Sequence, residues 1–372
     1  MPGDFASRLV LMVFSKRDNA GTRPRGGRAD LRTVSAVGAL GLSMLSLVIP
    51  VDFVTESPGP TFNTIGEFNS KPLIEIEGAQ TYPVSGNLDM TTVSVAGGPN
   101  SSLFAIEALA TWLEDSTAVL PSDLIYDPSM TSEQVTAQNT ADMTNSQEVA
   151  QAAALTQLGT DYTEILTVSG AVEGGPSQGI LQEGDVMTAL NGEPLASYTD
   201  LTERVNASAG QPVTLTVTRD GHEQDVTVTP SYNEQRQRYV LGLYIARSFE
   251  FPMTVNYGLE EVGGPSAGMM FALGIIDELT EGEMTGGIHF AGTGTIDADG
   301  TVGSIGGIEQ KMRGAADAGA TVFLAPADNC DEVVGNVPRR LNVIKVSTLD
   351  EAVDAVTRIG QGEDPTTFPT CS

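Results

Sequence analysis

The chain has 372 residues, of which 48 are acidic and 19 are basic, and its net charge is −29. This length allows two or three domains with a substantial core. The negative charge would repel phosphate over most of the surface, which argues against nucleic acid as a partner. The histidines and cysteines show no metal-ligand spacing, so we expect neither a metal site nor another cofactor. Cys330 and Cys371 could pair in an oxidising compartment or stay free, and the sequence leaves both open.

The first 54 residues differ in composition from the rest. Residues 1–32 hold seven of the 19 basic side chains, and residues 34–51 carry no charge. About 20 apolar residues can cross a bilayer, and a basic flank marks the cytoplasmic side. We therefore predict a cytoplasmic arm at 1–32 and an uncleaved signal anchor at 33–54. The protein would span the plasma membrane once, with its bulk outside the cytoplasm. A cleaved signal peptide and a buried core helix are the competing interpretations.

Residues 158–230 form a β-rich segment, after a predicted strand at 85–98 and predicted helices at 101–115 and 132–158. Short alternating strands in it are separated by turn signals such as Asn-Gly and Asp-Gly. The order of elements, with the motifs GPSQGILQEGD and NGEPL, resembles the PDZ domains of bacterial proteases. That resemblance implies that the segment binds extended chains by strand addition, with a carboxylate-binding loop around 158–163. The alternative is a small spacer without a ligand.

Ser266 precedes a segment, 267–276, that is apolar on nearly every side, as in a buried helix. The Gly-Gly-Pro before it suits a helix start, so one interpretation is that Ser266 is an N-cap. The other is that Ser266 is a nucleophile, which would need a neighbouring base. The backbone N–H groups of Gly264, Ser266 and Ala267 would then stabilise an oxyanion.

Lys311 is one of only four lysines, against fifteen arginines. None of the four follows a glycine, so the Gly-Lys-Ser/Thr loop of many ATPases is absent. Lys311 falls in the apolar sector of a predicted helix at 308–318 that ends at Gly319. A lysine can lose its proton when it is buried, whereas an arginine cannot, so Lys311 could act as a base near neutral pH. The alternative is a lysine at the edge of the apolar stripe whose amine reaches solvent.

The segments GGPSAGMMFALGIIDELT and GGIEQKMRGAADAGATVFLAP resemble the protease domain of the Lon family, with serine and lysine 45 residues apart (311 − 266). The resemblance implies a catalytic dyad of Ser266 and Lys311, with Thr285 helping to hold the lysine. Cytoplasmic Lon proteins carry an acidic residue where this chain has Gly263, and membrane-anchored relatives without an ATPase carry glycine there. Lon-type domains commonly form hexameric rings, so the resemblance also implies a homo-oligomer.

These observations predict an α+β fold with an N-terminal transmembrane helix. A Lon-type proteolytic domain would be built from 55–157 and 231–360, with the PDZ-like domain at 158–230 inserted between them and a tail at 361–372. The predicted function is an ATP-independent serine endopeptidase that cleaves unfolded or exposed envelope and secreted proteins, selected in part by the PDZ-like domain. Two alternatives are a PDZ-bearing adaptor whose Lon-like part is inactive, and a protease that processes only its own chain.

Overall fold

The computed structural model describes residues 31–47, 49–259 and 262–372, and the chain divides after Ile49 into two units. The predicted basic arm therefore lies almost entirely outside the described residues. In the first unit, helix α1 covers Leu31–Ser46. None of the helices in the described ranges has both the length and the apolar character needed to span a bilayer. The predicted anchor at 33–54 is helical only in part, because proline at position 50 cannot continue a helix and the chain is a strand from there.

Several helices of the second unit begin or end at recognisable caps. The hydroxyl oxygens of Thr131 and Ser197 accept first-turn N–H groups, and Gly319 adopts a left-handed φ of 95° that closes its helix, which confirms the predicted end. The helices are α2 (Ala105–Trp112), α3 (Ser132–Gln157), α4 (Tyr198–Ala207), α5 (Gly268–Leu279), α6 (Ile308–Ala318), α7 (Cys330–Val333) and α8 (Leu349–Gly360).

The strands precede, separate and follow these helices. Those before α3 are β1 (Pro50–Val51), β2 (Phe53–Asn63), β3 (Glu67–Phe68), β4 (Lys71–Pro72), β5 (Ile74–Glu77), β6 (Asn87–Gly97), β7 (Leu103–Phe104) and β8 (Ala118–Pro121). The next are β9 (Thr163–Ala171), β10 (Val186–Leu190), β11 (Glu193–Pro194), β12 (Val213–Arg219), β13 (His222–Val228), β14 (Ser231–Asn233), β15 (Arg238–Val240), β16 (Leu243–Glu250) and β17 (Thr254–Tyr257). The last are β18 (His289–Gly292), β19 (Thr295–Ile296), β20 (Val302–Gly303), β21 (Val322–Pro326) and β22 (Asn342–Val346).

The main sheet is mixed and has the strand order β22-β21-β18-β6-β2-β8. Strand β18 runs parallel to both β21 and β6, whereas β2 is antiparallel to β6 and β8. Side chains alternate along β21: Val322 and Leu324 join the core that contains α5 and α8, and Phe323 and Ala325 join the core that contains α6. Helices α5 and α6 therefore cover opposite faces of this sheet.

A second, antiparallel sheet with its own core is inserted between α3 and β17. Its strand order is β13-β12-β10-β9-β16, with β11 beside β10. Strand β16 pairs with β9 over its whole length and completes this sheet. The inserted domain therefore extends to Glu250, beyond the boundary that the sequence placed at residue 230.

The C-terminal tail is held to the main domain by a disulfide. Cys330 and Cys371 are bonded, with their Cα atoms 5.0 Å apart. Cys371 packs against the core that contains Ile308 and Phe323. The tail at 361–372 is thus tied to the face of the sheet that α6 covers.

Candidate active site

Ser266 and Lys311 reach each other from opposite faces of the main sheet. Ser266 lies in the turn directly before α5, and Lys311 lies in the first turn of α6. Lys311 Nζ donates to Ser266 Oγ over 2.8 Å. The structure thus contains the proximity that the sequence predicted. The N-cap interpretation of Ser266 is wrong, because α5 begins at Gly268 and Ala267 occupies the N-cap position.

Thr293, rather than Thr285, holds the lysine. Thr293 follows the last residue of β18, and its Oγ1 accepts a hydrogen bond from Lys311 Nζ over 3.0 Å. The same hydroxyl donates to the carbonyl oxygen of Ser266 over 3.0 Å. Thr285 is buried elsewhere: its hydroxyl donates to the Ser85 carbonyl and accepts from the Gly287 N–H. The role predicted for Thr285 therefore belongs to a threonine eight residues later (293 − 285).

Burial makes the Lys311 amine a weaker base than a lysine in water. Only 2% of the residue is exposed, and this burial lowers the pKa of its amine from 10.5 to about 8. Hydrogen bonds to Ser266 and Thr293 fix the position of Nζ. About a tenth of the amine is therefore uncharged at pH 7, far more than for a lysine in water, and this uncharged fraction can take a proton from the serine hydroxyl.

Glu56 brings a carboxylate into the same cleft, and no sequence motif pointed to it. It lies on β2, is buried, and lines the cleft with Ser266 and Lys311. Burial raises the pKa of the Glu56 carboxyl, and the charge of Lys311 partly opposes that rise. In turn, Glu56 raises the pKa of Lys311 and so limits the lowering caused by burial. The pKa of the amine is set by the balance of these two effects.

Helix α3 holds the loop that carries Ser266. The Gly264 N–H donates to the Asn139 carbonyl over 3.0 Å, and the Ser146 hydroxyl donates to the Pro265 carbonyl over 3.1 Å. A Cβ on Gly263 would lie 2.7 Å from the Asn139 Cβ, so no side chain, acidic or otherwise, fits there without a shift. The prediction that Gly264 is an oxyanion donor is wrong, because its N–H already donates to the Asn139 carbonyl.

Ser266 and Ala267 are the predicted oxyanion donors that keep this role. Their N–H groups make no hydrogen bond within the described part of the chain. Both residues precede α5, whose N-terminus carries partial positive charge, and both line the cleft. Two amides at the end of a helix suit an oxygen that gains negative charge.

An open cleft of about 980 Å³ leads to Ser266 and Lys311. One side is formed by Met90 to Val95 of β6, and the other by the N-terminal half of α3. Strand β18 pairs with β6 only as far as Met90, so the edge of β6 beyond it is not covered by β18. A cleft that is bordered by an unpaired strand edge suits an extended peptide.

The inserted domain has a separate groove of about 330 Å³. It lies between α4, which contributes Leu201 and Val205, and the start of β16 with Leu241 and Gly242 before it. The residues at 158–163 do not line it, so the carboxylate-binding loop is not where the sequence analysis placed it. The missed signal is the apolar-Gly-apolar sequence at 241–243, where Gly242 has a left-handed φ of 68°.

Comparison with known proteins identifies two domains. Residues 250–358 match the family model described as the Lon protease (S16) C-terminal proteolytic domain, and this range includes Ser266 and Lys311. Residues 143–229 match the PDZ domain. A solved PDZ domain of an SdrC-like protein from Listeria monocytogenes is 13% identical with a TM-score of 0.21, over 22% of this chain and 86% of that one. The two family matches give the chain a serine peptidase domain of the Lon type and a PDZ domain.

Several curated Lon proteases are similar to part of the chain. The Lon protease of Clostridioides difficile is 34% identical over 105 residues, which are 27% of this chain and 13% of that protein. Lon protease 1 of Sorangium cellulosum is 39% identical over 99 residues, which are 26% of this chain and 12% of that protein. Lon protease 2 of Herpetosiphon aurantiacus is 39% identical over 93 residues, 24% and 11% of the two chains. The chain thus spans only a small fraction of the length of these relatives.

Proposed function

We propose that the chain is an active serine endopeptidase in which Ser266 is the nucleophile and Lys311 the general base. The uncharged amine of Lys311 takes the hydroxyl proton while Ser266 Oγ bonds to the scissile carbonyl carbon. The N–H groups of Ser266 and Ala267 stabilise the resulting oxyanion. The Lys311 ammonium then gives its proton to the leaving amine as the peptide C–N bond breaks, which leaves an acyl-enzyme.

The same lysine completes the cycle. It takes a proton from a water molecule that attacks the acyl carbonyl, and it returns that proton to Ser266 Oγ as the ester bond breaks. Thr293 keeps the amine in place through both steps, because it contacts Lys311 Nζ and the Ser266 carbonyl together. The observation that carries this proposal is the 2.8 Å contact of a buried amine with the serine hydroxyl.

Substrate choice and location extend the proposal. The chain has no Gly-Lys-Ser/Thr sequence, which supports cleavage that does not depend on ATP hydrolysis by this chain. Without an unfolding motor, the substrates would be unfolded or exposed segments of envelope and secreted proteins, recruited in part through the groove of the PDZ domain. The uncharged segment at 34–51 after a basic arm supports a single-pass anchor in the plasma membrane that begins at residue 33 and ends before the strand at Pro50, with the N-terminus cytoplasmic. A homo-oligomer, a hexamer by resemblance to Lon-type rings, belongs to the same proposal.

Active-site labelling and casein turnover test the chemistry. A fluorophosphonate probe should label the wild-type chain and not Ser266→Ala, and casein should be cleaved by the wild type and not by Lys311→Ala. Lys71→Ala is the matched control, because Lys71 is exposed on β4 and should be dispensable. Equal casein turnover by wild type and Lys311→Ala would refute the dyad.

Two further outcomes would point to the alternatives. If the fluorophosphonate probe does not label the wild-type chain but the chain still binds C-terminal peptides, the protein is an adaptor. A wild-type chain that cuts the Ser266→Ala chain but leaves casein intact would be a self-processing protease. Incubation of labelled Ser266→Ala protein with active protein, beside casein, separates these cases.

A further inference from the structure

Helix α2 turns its apolar side outward. Ile106, Leu109 and Leu113 follow the i, i+3, i+7 spacing of one face, with Trp112 beside them. Trp112 is 69% exposed and Leu113 is 72% exposed, and the helix contains no buried residue. The apolar stripe of a surface helix normally faces the core, and a large exposed apolar face marks an interaction site.

The position of α2 in the second unit indicates what covers this face. Strand β7 ends at Phe104, which pairs with Pro50 of β1, and α2 begins at the next residue, Ala105. Neighbouring strands lie about 4.8 Å apart, so α2 starts one strand spacing from Pro50. Pro50 is where the apolar segment at 34–51 passes into the second unit. If that segment spans a bilayer, the bilayer surface lies beside the start of α2.

We propose that the face of α2 formed by Ile106, Leu109, Trp112 and Leu113 lies in the interfacial layer of the lipid bilayer. This inference rests on the membrane anchor of the proposed function. Tryptophan is enriched at the membrane–water interface, and short amphipathic helices bind there with their apolar side buried. Helix α2 also packs on β8, and the chain after β8 forms the rim of the catalytic cleft at Ile125 and Tyr126. The contact would hold that rim close to the membrane surface.

The charge around α2 determines the kind of lipid contact. Between residues 53 and 203 the only basic residue is Lys71, while Glu107, Glu114 and Asp115 lie in or just after α2. This stretch offers anionic headgroups no cationic group besides Lys71, so we expect the contact to depend on apolar burial. Helix α2 should therefore bind to vesicles of zwitterionic phosphatidylcholine alone, and added salt should not release it.

Trp112 is the only tryptophan in the chain, so its fluorescence reports on this face alone. The full chain is reconstituted in phosphatidylcholine vesicles, with or without acyl chains brominated near the headgroup. We expect a blue-shifted emission, loss of most of that emission in brominated lipid, and weak quenching by aqueous acrylamide. The double variant Leu109→Ser/Leu113→Ser should lose the quenching by brominated lipid and keep its casein turnover. Val337→Ser, an exposed apolar residue of the C-terminal region, is the control and should leave the quenching unchanged.

Flotation of the same vesicles separates this inference from the anchor on which it depends. If the chain floats but Trp112 stays open to acrylamide and insensitive to brominated lipid, the contact is refuted and the anchor stands. Trp112 could instead be shielded from acrylamide both in detergent and in vesicles and not be quenched by brominated lipid. That result would mean that a second copy of the chain, and not the bilayer, covers the face. If the chain fails to float after carbonate washing, the anchor fails and this inference fails with it.

Discussion

Thr293 Oγ1 lies 3.0 Å from Lys311 Nζ and links the lysine to the backbone of the nucleophile, since it also donates to the Ser266 carbonyl. The threonine occupies the carboxyl end of β18, where the ends of a parallel strand meet helices from both faces of the sheet. A hydroxyl there can accept from the amine and donate to the carbonyl at once. It therefore holds the amine in line with Ser266 Oγ whether or not the lysine carries its extra proton.

Replacing Thr293 by valine keeps the shape of the side chain and removes both hydrogen bonds. We expect Thr293→Val to lower kcat for casein by roughly tenfold to a hundredfold, because the base is no longer held in line with the hydroxyl. Thr285→Val is the matched control. It should lower the free energy of unfolding by about 1–3 kcal/mol, since a buried carbonyl and N–H lose their partner, and leave kcat per folded molecule unchanged. The opposite pattern would restore the role first assigned to Thr285.

The rate of acylation should depend on pH through Lys311. Because the active form is uncharged and its pKa is about 8, the rate should rise with pH through that value. Glu56 favours the charged amine, so Glu56→Gln should move the midpoint of the rise to lower pH. The pH dependence of fluorophosphonate labelling measures this shift directly. Asp317→Asn, an exposed change on the same helix as Lys311, should leave the midpoint in place, and an unmoved midpoint in Glu56→Gln would exclude Glu56 from tuning the amine.

The dyad could be predicted from sequence because both of its members stand in dense local patterns. Ser266 opens a run too apolar to be anything but buried, and Lys311 is a rare lysine within an apolar helical sector. Glu56 has no such signal, since it lies 210 residues before Ser266 (266 − 56) and reaches the cleft only because β2 pairs with β6. Contacts set by sheet pairing are not visible in local periodicity.

The remaining differences have the same kind of cause. Thr285 and Thr293 lie in one Gly- and Thr-rich stretch, and only the start and end of β18 decide which of them meets the lysine. Strand β16 alternates exposed and half-buried residues, which suits either domain, and its pairing with β9 assigns it to the inserted one. For α2, the pattern predicts an amphipathic helix but not the direction that its apolar side faces.

The disulfide between Cys330 and Cys371 should stabilise the main domain. It closes a loop with a sequence separation of 41, for which the loss of chain entropy in the unfolded state is worth about 2–4 kcal/mol. Reductant should therefore shift urea unfolding of the wild type to lower concentration by a corresponding amount. Cys371→Ser should unfold at that lower concentration with or without reductant. Identical midpoints for the reduced and oxidised wild type would contradict the prediction.

Burial of the charged Lys311 amine should lower the free energy of unfolding. A pKa lowered from 10.5 to about 8 means that, below pH 8, the folded state holds a buried charge at a penalty of about 3 kcal/mol. Lys311→Met removes this charge but also removes the hydrogen bonds that the amine donates to the Ser266 and Thr293 hydroxyls, so we expect a net gain of about 1–2 kcal/mol at pH 7.

The pH dependence of that gain gives the sharper test. Between pH 8 and 10.5 the unfolded chain binds a proton at Lys311 that the folded chain does not, so wild-type stability rises with pH across this window. The gain in stability of Lys311→Met over the wild type should therefore be largest below pH 8 and should shrink as the pH approaches 10.5. Urea unfolding of both proteins at pH 7 and pH 10 measures the difference, with exposed Lys71→Met as the control that should show no such change. A variant less stable than the wild type at pH 7, by an amount independent of pH, would mean that the amine is not held in a poorly solvated site.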